Sequence, residues 1–416
     1  MNNKKGNVLA IGIMFFLFAM ISFVTGLQNP MGIIAKAQFG ATNLMSQLGN
    51  AANFIAYAFM GLPAGFLLKG KGYKFTALAA VAGGFVGVGI SYLSGVVGSF
   101  PVYLLGAFVS GFSMCMLNTV VNPMLNTLGG GGNKGNQLIQ LGGSLNSLSA
   151  TIVPVLAGYL IGEVTEKTQV ADVNPALFTA MGIFALAFVI ILCSYIPEPE
   201  LEAAAAAGEQ KKESTMESIK GALSHKNLVF GVIAIFLYVG IEVGIPNIAN
   251  LYMTSADGLG IVPSVAGTLV GAYWFLMLCG RLVGGAIGGK VSSRTMMVSV
   301  CSAGIVFLLL GMFLPNSMQV ALLGTQVPVA LMFFVACGLC TSVMWGAIFN
   351  LAVEGLGKYT SIASGLFMVM VMGGGIVPLV QGAVVDCAGY ISSYWVLVAS
   401  LAYILWFALV GSRTNK

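Results

Sequence analysis

The chain has 416 residues, 58% of them hydrophobic and 7% charged, with a mean hydropathy of +0.94. Soluble domains carry roughly 25% charged residues, so a water-soluble globule is excluded. The net charge of +5 comes without a basic stripe interleaved with aromatics, which excludes a nucleic-acid footprint.

A helix needs about 20 apolar residues to cross a bilayer. Twelve such runs follow one another at 8–35, 44–68, 75–97, 101–127, 137–162, 174–196, 227–253, 262–289, 294–314, 321–349, 359–386 and 390–411. The first is too long and Gly-rich for a cleaved leader. The charged stretch 197–226 divides the twelve into six and six. Pro197 and Pro199 stop the sixth helix. The Ala run and EQKKESTMES that follow predict a short amphipathic helix on the surface. The expected fold class is an all-α membrane protein of twelve transmembrane helices in two pseudo-symmetric six-helix bundles, 1–196 and 227–416, joined by a cytoplasmic linker at 197–226.

Basic residues orient the chain, because they gather in cytoplasmic loops. With the N-terminus inside, fifteen lysines and arginines fall on the cytoplasmic side, among them Lys69, Lys71, Lys74, Lys134, Lys290, Arg294 and Lys358. Only Lys36 and Lys167 fall outside, and Arg281 lies within a span. This bias supports an even number of spans, both termini cytoplasmic, and a cytoplasmic (inner) membrane location.

The two halves share short strings in the same order. IVPVLAG at Ile152–Gly158 and IVPLVQG at Ile376–Gly382 are 224 residues apart, and Asn126 and Asn350 keep that offset. GLQ at Gly26–Gln28 pairs more loosely with GIE at Gly240–Glu242. The chain reads as two copies of one unit in the same orientation. Gly373, Gly374 and Gly375 ahead of Pro378 suit close helix packing or a bend.

Polar residues inside the spans carry the chemistry. No Asp or Glu occurs before Glu163, so the first half offers amides instead: Gln28, Asn29, Asn53, Asn118, Asn122, Asn126 and Asn146. An amide both donates and accepts, and a cluster of them around a cavity suits a neutral polyhydroxyl ligand. In the second half Glu242 stands near the middle of its span. A charged carboxylate there costs about 2.5–3.5 kcal/mol on insertion scales, so it must be paired, protonated or facing water. Arg281 and Glu354 are expected near the cytoplasmic ends of their spans as gate or ion-pair groups. Trp274 and Trp345 lie deep in their spans, where aromatic rings can cover the C–H face of a ligand.

Other chemistries lack their residues. His225 is the sole histidine and sits in the cytoplasmic linker, so a Ser–His–Asp triad or a His-ligated metal centre is ruled out. Cys337 and Cys340 form a CxxC within a membrane span with no further ligand nearby, which points to packing. GGGGNKG at Gly129–Gly135 lacks both the flanking strand and the Lys-Ser/Thr end of a phosphate loop. No metal or organic cofactor is expected, and the chain is not expected to be an enzyme.

The motifs FVTGLQNP, LPAGFLLKGKGYK, NTVVNPMLNTLG, YVGIEV, CGRLVGG and FNLAVEGLGKYTS…GGGIVPLVQGAVVD give the chain a resemblance to the fucose/glucose–galactose symporter branch of the major facilitator superfamily. The resemblance runs over most of its length. It implies the major facilitator fold and import of a neutral monosaccharide, a hexose or deoxyhexose, by alternating access. Acidic positions of the fucose permeases fall on Asn29 and Asn118. Asn146 matches an amide thought to meet sugar, and Glu242 matches an acid of the glucose–galactose subgroup. Two family carboxylates are therefore amides here. The coupling ion, H+ or Na+, stays open, with Glu242 as the coupling residue. An uncoupled uniporter and a same-fold carrier of another polar solute such as a nucleoside are the alternatives. The expected sugar contacts are Gln28, Asn29, Asn118, Asn122, Asn146, Glu242, Asn247, Trp274, Trp345, Asn350 and Gln381. The expected partners are the sugar and the lipid bilayer, with the protein acting as a monomer.

Overall fold

The computed structural model describes residues 7–24, 43–161, 169–198, 201–202, 215–255 and 258–413. The expected contacts Gln28 and Asn29, and the GLQ string, lie outside the described residues.

Helices dominate, as they must where no water is present to satisfy backbone N–H and C=O groups. In chain order they are α1 (Asn7–Val24), α2 (Asn43–Val97), α3 (Phe100–Leu128), α4 (Gly132–Ile161), α5 (Asn174–Cys193), α6 (Thr215–Leu223), α7 (Lys226–Thr254) and α8 (Pro263–Ile287). They continue with α9 (Ser293–Phe313), α10 (Val329–Thr341), α11 (Met344–Val353), α12 (Thr360–Met370), α13 (Gly373–Ala388) and α14 (Tyr390–Trp406). Among the described residues ten segments are long and apolar enough to cross a membrane. One of them, Ala52–Val97, holds two of the expected spans, and α4 carries the fifth. This bears out the all-α membrane class. The amphipathic linker helix appears as α6.

Two departures have local causes. The tenth span, expected from residue 321, begins at Val329. Residues before it form an antiparallel hairpin, β1 (Gln319–Leu322) with β2 (Thr325–Pro328). Its two-residue turn places Leu323 and Gly324 at positive φ, 48° and 79°, the geometry that matches strand twist. The second departure is a break within α2. Gly72 at φ 83°, ψ −179° separates its two arms, a conformation open to glycine and costly for other residues.

Contact clustering divides the chain into two compact units. Unit 1 comprises Met1–Leu128, Leu145–Ala222 and Leu356–Val369; unit 2 comprises Gly129–Ser144, Leu223–Gly355 and Met370–Lys416. The units follow the sequence halves except that each holds a short segment of the other half. Segment 129–144 begins α4, which carries IVPVLAG, and segment 356–369 holds most of α12, the helix before the α13 that carries IVPLVQG.

In unit 1, α2 and α3 cross on small residues. A Cβ on Gly87 would stand 2.5 Å from Ser110 Oγ and 2.6 Å from its amide nitrogen, and one on Gly106 would stand 2.7 Å from the Ser91 nitrogen. Ser113 Oγ donates to the Ala80 carbonyl at 2.6 Å. Small residues let backbones approach where lipid gives no hydrophobic drive between helices. Tyr73, Tyr103, Phe184, Met14 and Leu17 fill this interior, while Phe178, Leu186, Val189 and Leu192 of α5 face outward, as residues against lipid do.

Unit 2 packs α7 against α11, α13 and α14. Phe334 stacks on Tyr394 at 4.1 Å, and the Tyr394 hydroxyl donates to the Ile245 carbonyl. Gly373 lies against the Phe236 backbone, so a Cβ there would meet the Phe236 carbonyl. The helix is also interrupted between Met370 and Gly373. The glycine triplet therefore serves both packing and a bend.

Candidate functional site

Unit 2 gathers its polar side chains around Glu242. Arg281 of α8 reaches Glu242 of α7, Nη2 to Oε1, at 3.3 Å, with 11% and 17% of the two side chains exposed. The guanidinium also donates to the carbonyls of Gly143 at 3.2 Å and Ser342 at 3.3 Å. Its planar fork lets one side chain serve several acceptors. Tyr273 donates its hydroxyl to the Glu242 carbonyl at 3.1 Å and meets Thr341 Oγ1 at 3.1 Å. Tyr238, one turn before Glu242, faces both Glu242 and Arg281 without hydrogen-bond geometry. Its ring lies 6.3 Å from that of Trp345. The result is a charged pair walled by aromatic rings.

Unit 1 gathers amides. Asn118, Asn122 and Asn126 recur every four residues along one face of α3. Asn118 Nδ2 donates to the Tyr57 hydroxyl at 3.0 Å and to the Met114 carbonyl, while Asn122 Nδ2 donates to the Asn118 carbonyl. Asn126 Oδ1 and Asn53 Oδ1 are buried without a hydrogen-bond partner among the described residues. Asn146 of α4 donates to the Phe18 carbonyl of α1 at 2.9 Å.

The remaining expected contacts are scattered. Asn247 is exposed on α7, and Trp274 is 40% exposed beside Tyr273. Asn350 donates to Ser293 Oγ at 2.9 Å, which joins it to the start of α9. Glu354 ends α11, and its backbone carbonyl accepts from Asn227 Nδ2. Gln381 is fully buried, both its amide atoms without a hydrogen-bond partner among the described residues, against Gly244 of α7. An unsatisfied buried polar group costs about 1–3 kcal/mol.

Sequence reading missed Tyr57 and Tyr238, and marked Tyr273 only as an aromatic residue deep in its span. Tyr238 was within reach of it, since Tyr238 and Glu242 are four apart on one helix face. Tyr57, and the partners of Tyr273, needed the helix packing.

This architecture, apolar helices enclosing a paired charge and a row of amides, is that of a polytopic membrane carrier. Residues 11–378 match the Major Facilitator Superfamily, and the chain belongs to that family of membrane transporters, not enzymes. It is 27% identical to a protein named glucose/galactose transporter from Brucella abortus (biovar 1, strain 9-941), over 99% of this chain and 96% of that one. It is 28% identical to a putative glucose/galactose transporter from Helicobacter pylori (strain J99), over 99% of each. Its fold is similar to the crystal structure of the E. coli fucose:proton symporter FucP. That match has a TM-score of 0.84 at 19% identity and covers 98% of this chain and 100% of that one.

Proposed function

We propose that this protein imports a neutral monosaccharide by alternating access and couples the movement to a cation at Glu242. The observation that carries the reading is the Glu242–Arg281 pair at 3.3 Å within an apolar helix bundle, set beside aromatic rings. The names of the relatives, glucose/galactose transporter and fucose:proton symporter, supply the cargo class and make a proton the favoured ion. In unit 1 the amides Asn118, Asn122 and Asn146 offer paired donors and acceptors for sugar hydroxyls. In unit 2 Trp345 offers a ring face, and Glu242 and Gln381 offer polar atoms. A proton on Glu242 would neutralise the carboxylate and loosen its hold on Arg281. The bundles 1–196 and 227–416, the inner-membrane location, the cytoplasmic termini and the monomeric state are part of the same proposal. The bundles and the cytoplasmic termini rest on the internal repeat and on the lysine and arginine bias.

Uptake of radiolabelled glucose, galactose and fucose into proteoliposomes tests it, each under a proton gradient, a sodium gradient or none. Accumulation driven by one gradient and lost in Glu242→Gln is expected. Equilibration without accumulation, unchanged by Glu242→Gln, would make the protein a uniporter. No uptake of any of the three would sink the sugar assignment.

A further inference from the structure

The hairpin β1–β2 lies between α9 and α10, at the end of unit 2 away from Lys226. Its register pairs Val320 with Val327 and Leu322 with Thr325, and the Val329 amide donates to the Met318 carbonyl at 2.8 Å. A two-stranded hairpin is marginal in water unless an apolar face is covered. Val327 and Pro328 are buried, but Met318, Val320 and Leu323 are exposed, Leu323 at the tip by 70%. Charge is missing as well. No Asp, Glu, Lys, Arg or His stands between Arg294 and Glu354. A strand edge that faces water is ordinarily guarded by lysine or another charge, and β1 has neither.

The neighbouring helices show what meets this surface. On α9, Val306, Leu310 and Phe313 recur at helical spacing and are all exposed, which makes them the outward face of a membrane span. Phe313 ends that face, and the hairpin begins six residues later. Phe313 packs edge-on against Trp395 of α14, ring centroids 6.2 Å apart, and Trp395 is itself half-exposed. Tyr252, near the end of α7, meets Tyr390, at the start of α14, at 5.5 Å. The Tyr252 hydroxyl accepts from Asn316 Nδ2 at 2.9 Å. Tryptophan and tyrosine gathered at span ends mark the headgroup level of a bilayer. The hairpin leaves the helices at that level, so its apolar side chains continue the lipid-facing surface.

We propose that the hairpin Gln319–Pro328 is a membrane anchor, whose exposed Val320 and Leu323 enter the headgroup–acyl boundary of the leaflet at this end of unit 2. Its partner is lipid, met by apolar contact without charge. The depth is limited from both sides. Deeper insertion would strand the outer N–H and C=O groups of the two strands in hydrocarbon, where nothing satisfies them. At the boundary, water and headgroup oxygens reach those groups and the side chains of Gln319, Thr325 and Gln326. A hairpin held wholly in water would leave its apolar tip uncovered. A basic anchor draws on the negative charge of anionic lipid; this one has no charge to draw with, so lipid charge should not matter to it. The inference is independent of the cargo and the coupling ion.

The test reads depth with a fluorescent label on the full chain. The exposed cysteines Cys193 and Cys387 are replaced by serine. Leu323→Cys or Val320→Cys is then added and labelled with a nitrobenzoxadiazole probe. Both positions are exposed, so the label leaves the core intact, and monodisperse elution checks that each variant is folded. The protein is reconstituted in vesicles of phosphatidylcholine, with or without phosphatidylglycerol. One quencher is a doxyl group high on the lipid acyl chain, and the other is iodide in the water. Doxyl lipid is expected to quench at least threefold more than iodide at both positions, equally in the two lipid mixtures. Dominant iodide quenching at either position would place the hairpin in water and overturn the anchor. Weak quenching by both would place it under protein, such as a second copy of this chain, and overturn it too. Doxyl quenching that appears only with phosphatidylglycerol would overturn the uncharged contact.

Discussion

A carboxylate in the middle of an apolar helix persists only with partners, and Glu242 has Arg281 at 3.3 Å and Tyr238 facing it. Breaking such a pair leaves a charge behind. Arg281→Met is therefore expected to cut gradient-driven uptake at least tenfold, equal to about 1.4 kcal/mol, and Glu242→Gln introduced into that variant should restore stability toward the parent. A thermal unfolding series of the parent, both single variants and the double variant would check this coupling. In unit 1, Tyr57→Phe removes an acceptor from Asn118 while the Met114 carbonyl remains. The expected loss is about 1 kcal/mol of stability, with a higher half-saturation for sugar in uptake assays. Glu242, Arg281 and the asparagine row were all visible as polar residues in apolar runs. Tyr57 was not, because a tyrosine within an apolar run looks the same whether it faces lipid or a neighbouring asparagine.

At the scale of elements, the turn between the two arms of α2 is tied to the end of α5. Glu198 accepts from the amides of Tyr73 at 2.7 Å and Lys74 at 2.8 Å, and Lys74 Nζ donates to the carbonyls of Leu192 and Ser194. Gly72 at positive φ leaves the space that the Glu198 carboxylate fills. Gly72→Ala is expected to cost about 1–3 kcal/mol through backbone strain and this clash, read as a lowered melting temperature. Burial outweighs the two amide bonds and holds the Glu198 carboxyl above its ordinary value of 4.5. A carboxyl raised on folding binds its proton more tightly in the native state. Its contribution is therefore full below pH 4.5 and is lost as pH rises through the raised native value. Glu198→Gln should flatten that part of the stability profile; an unchanged profile would show that Glu198 does not set it. The hairpin at 319–328 shows why boundaries slip. Val320, Ala321, Leu322 and Val327 suit an apolar helix and a strand equally, and the Leu323–Gly324 turn decides.

At the scale of the molecule, the exchange of 129–144 and 356–369 between the units brings distant residues together. In unit 1 a Cβ on Gly61 would stand 2.7 Å from the Gly365 carbonyl oxygen and 2.6 Å from the Val369 nitrogen, and one on Gly65 would stand 3.0 Å from the Ser361 carbonyl. Ser364 Oγ donates to the Thr119 carbonyl at 3.0 Å. Gly61→Val should force α12 away from α2 and lower uptake severalfold. Limited proteolysis around residues 354–360 is expected to quicken in that variant and to stay slow in the parent.

The sequence by itself determined the membrane class and most of the helical spans, because hydropathy and length are local properties that bilayer thickness converts directly into helices. It also marked Glu242 and the amides, since polar groups in hydrocarbon are conspicuous. The tertiary structure alone decided which amides meet which partners. Gln137 and Gln140 drew no notice in the sequence, yet they donate to carbonyls 148 and 203 residues away. Backbone carbonyls are present at every position and carry no sequence signature. Only the close approach that glycine permits selects the ones in reach.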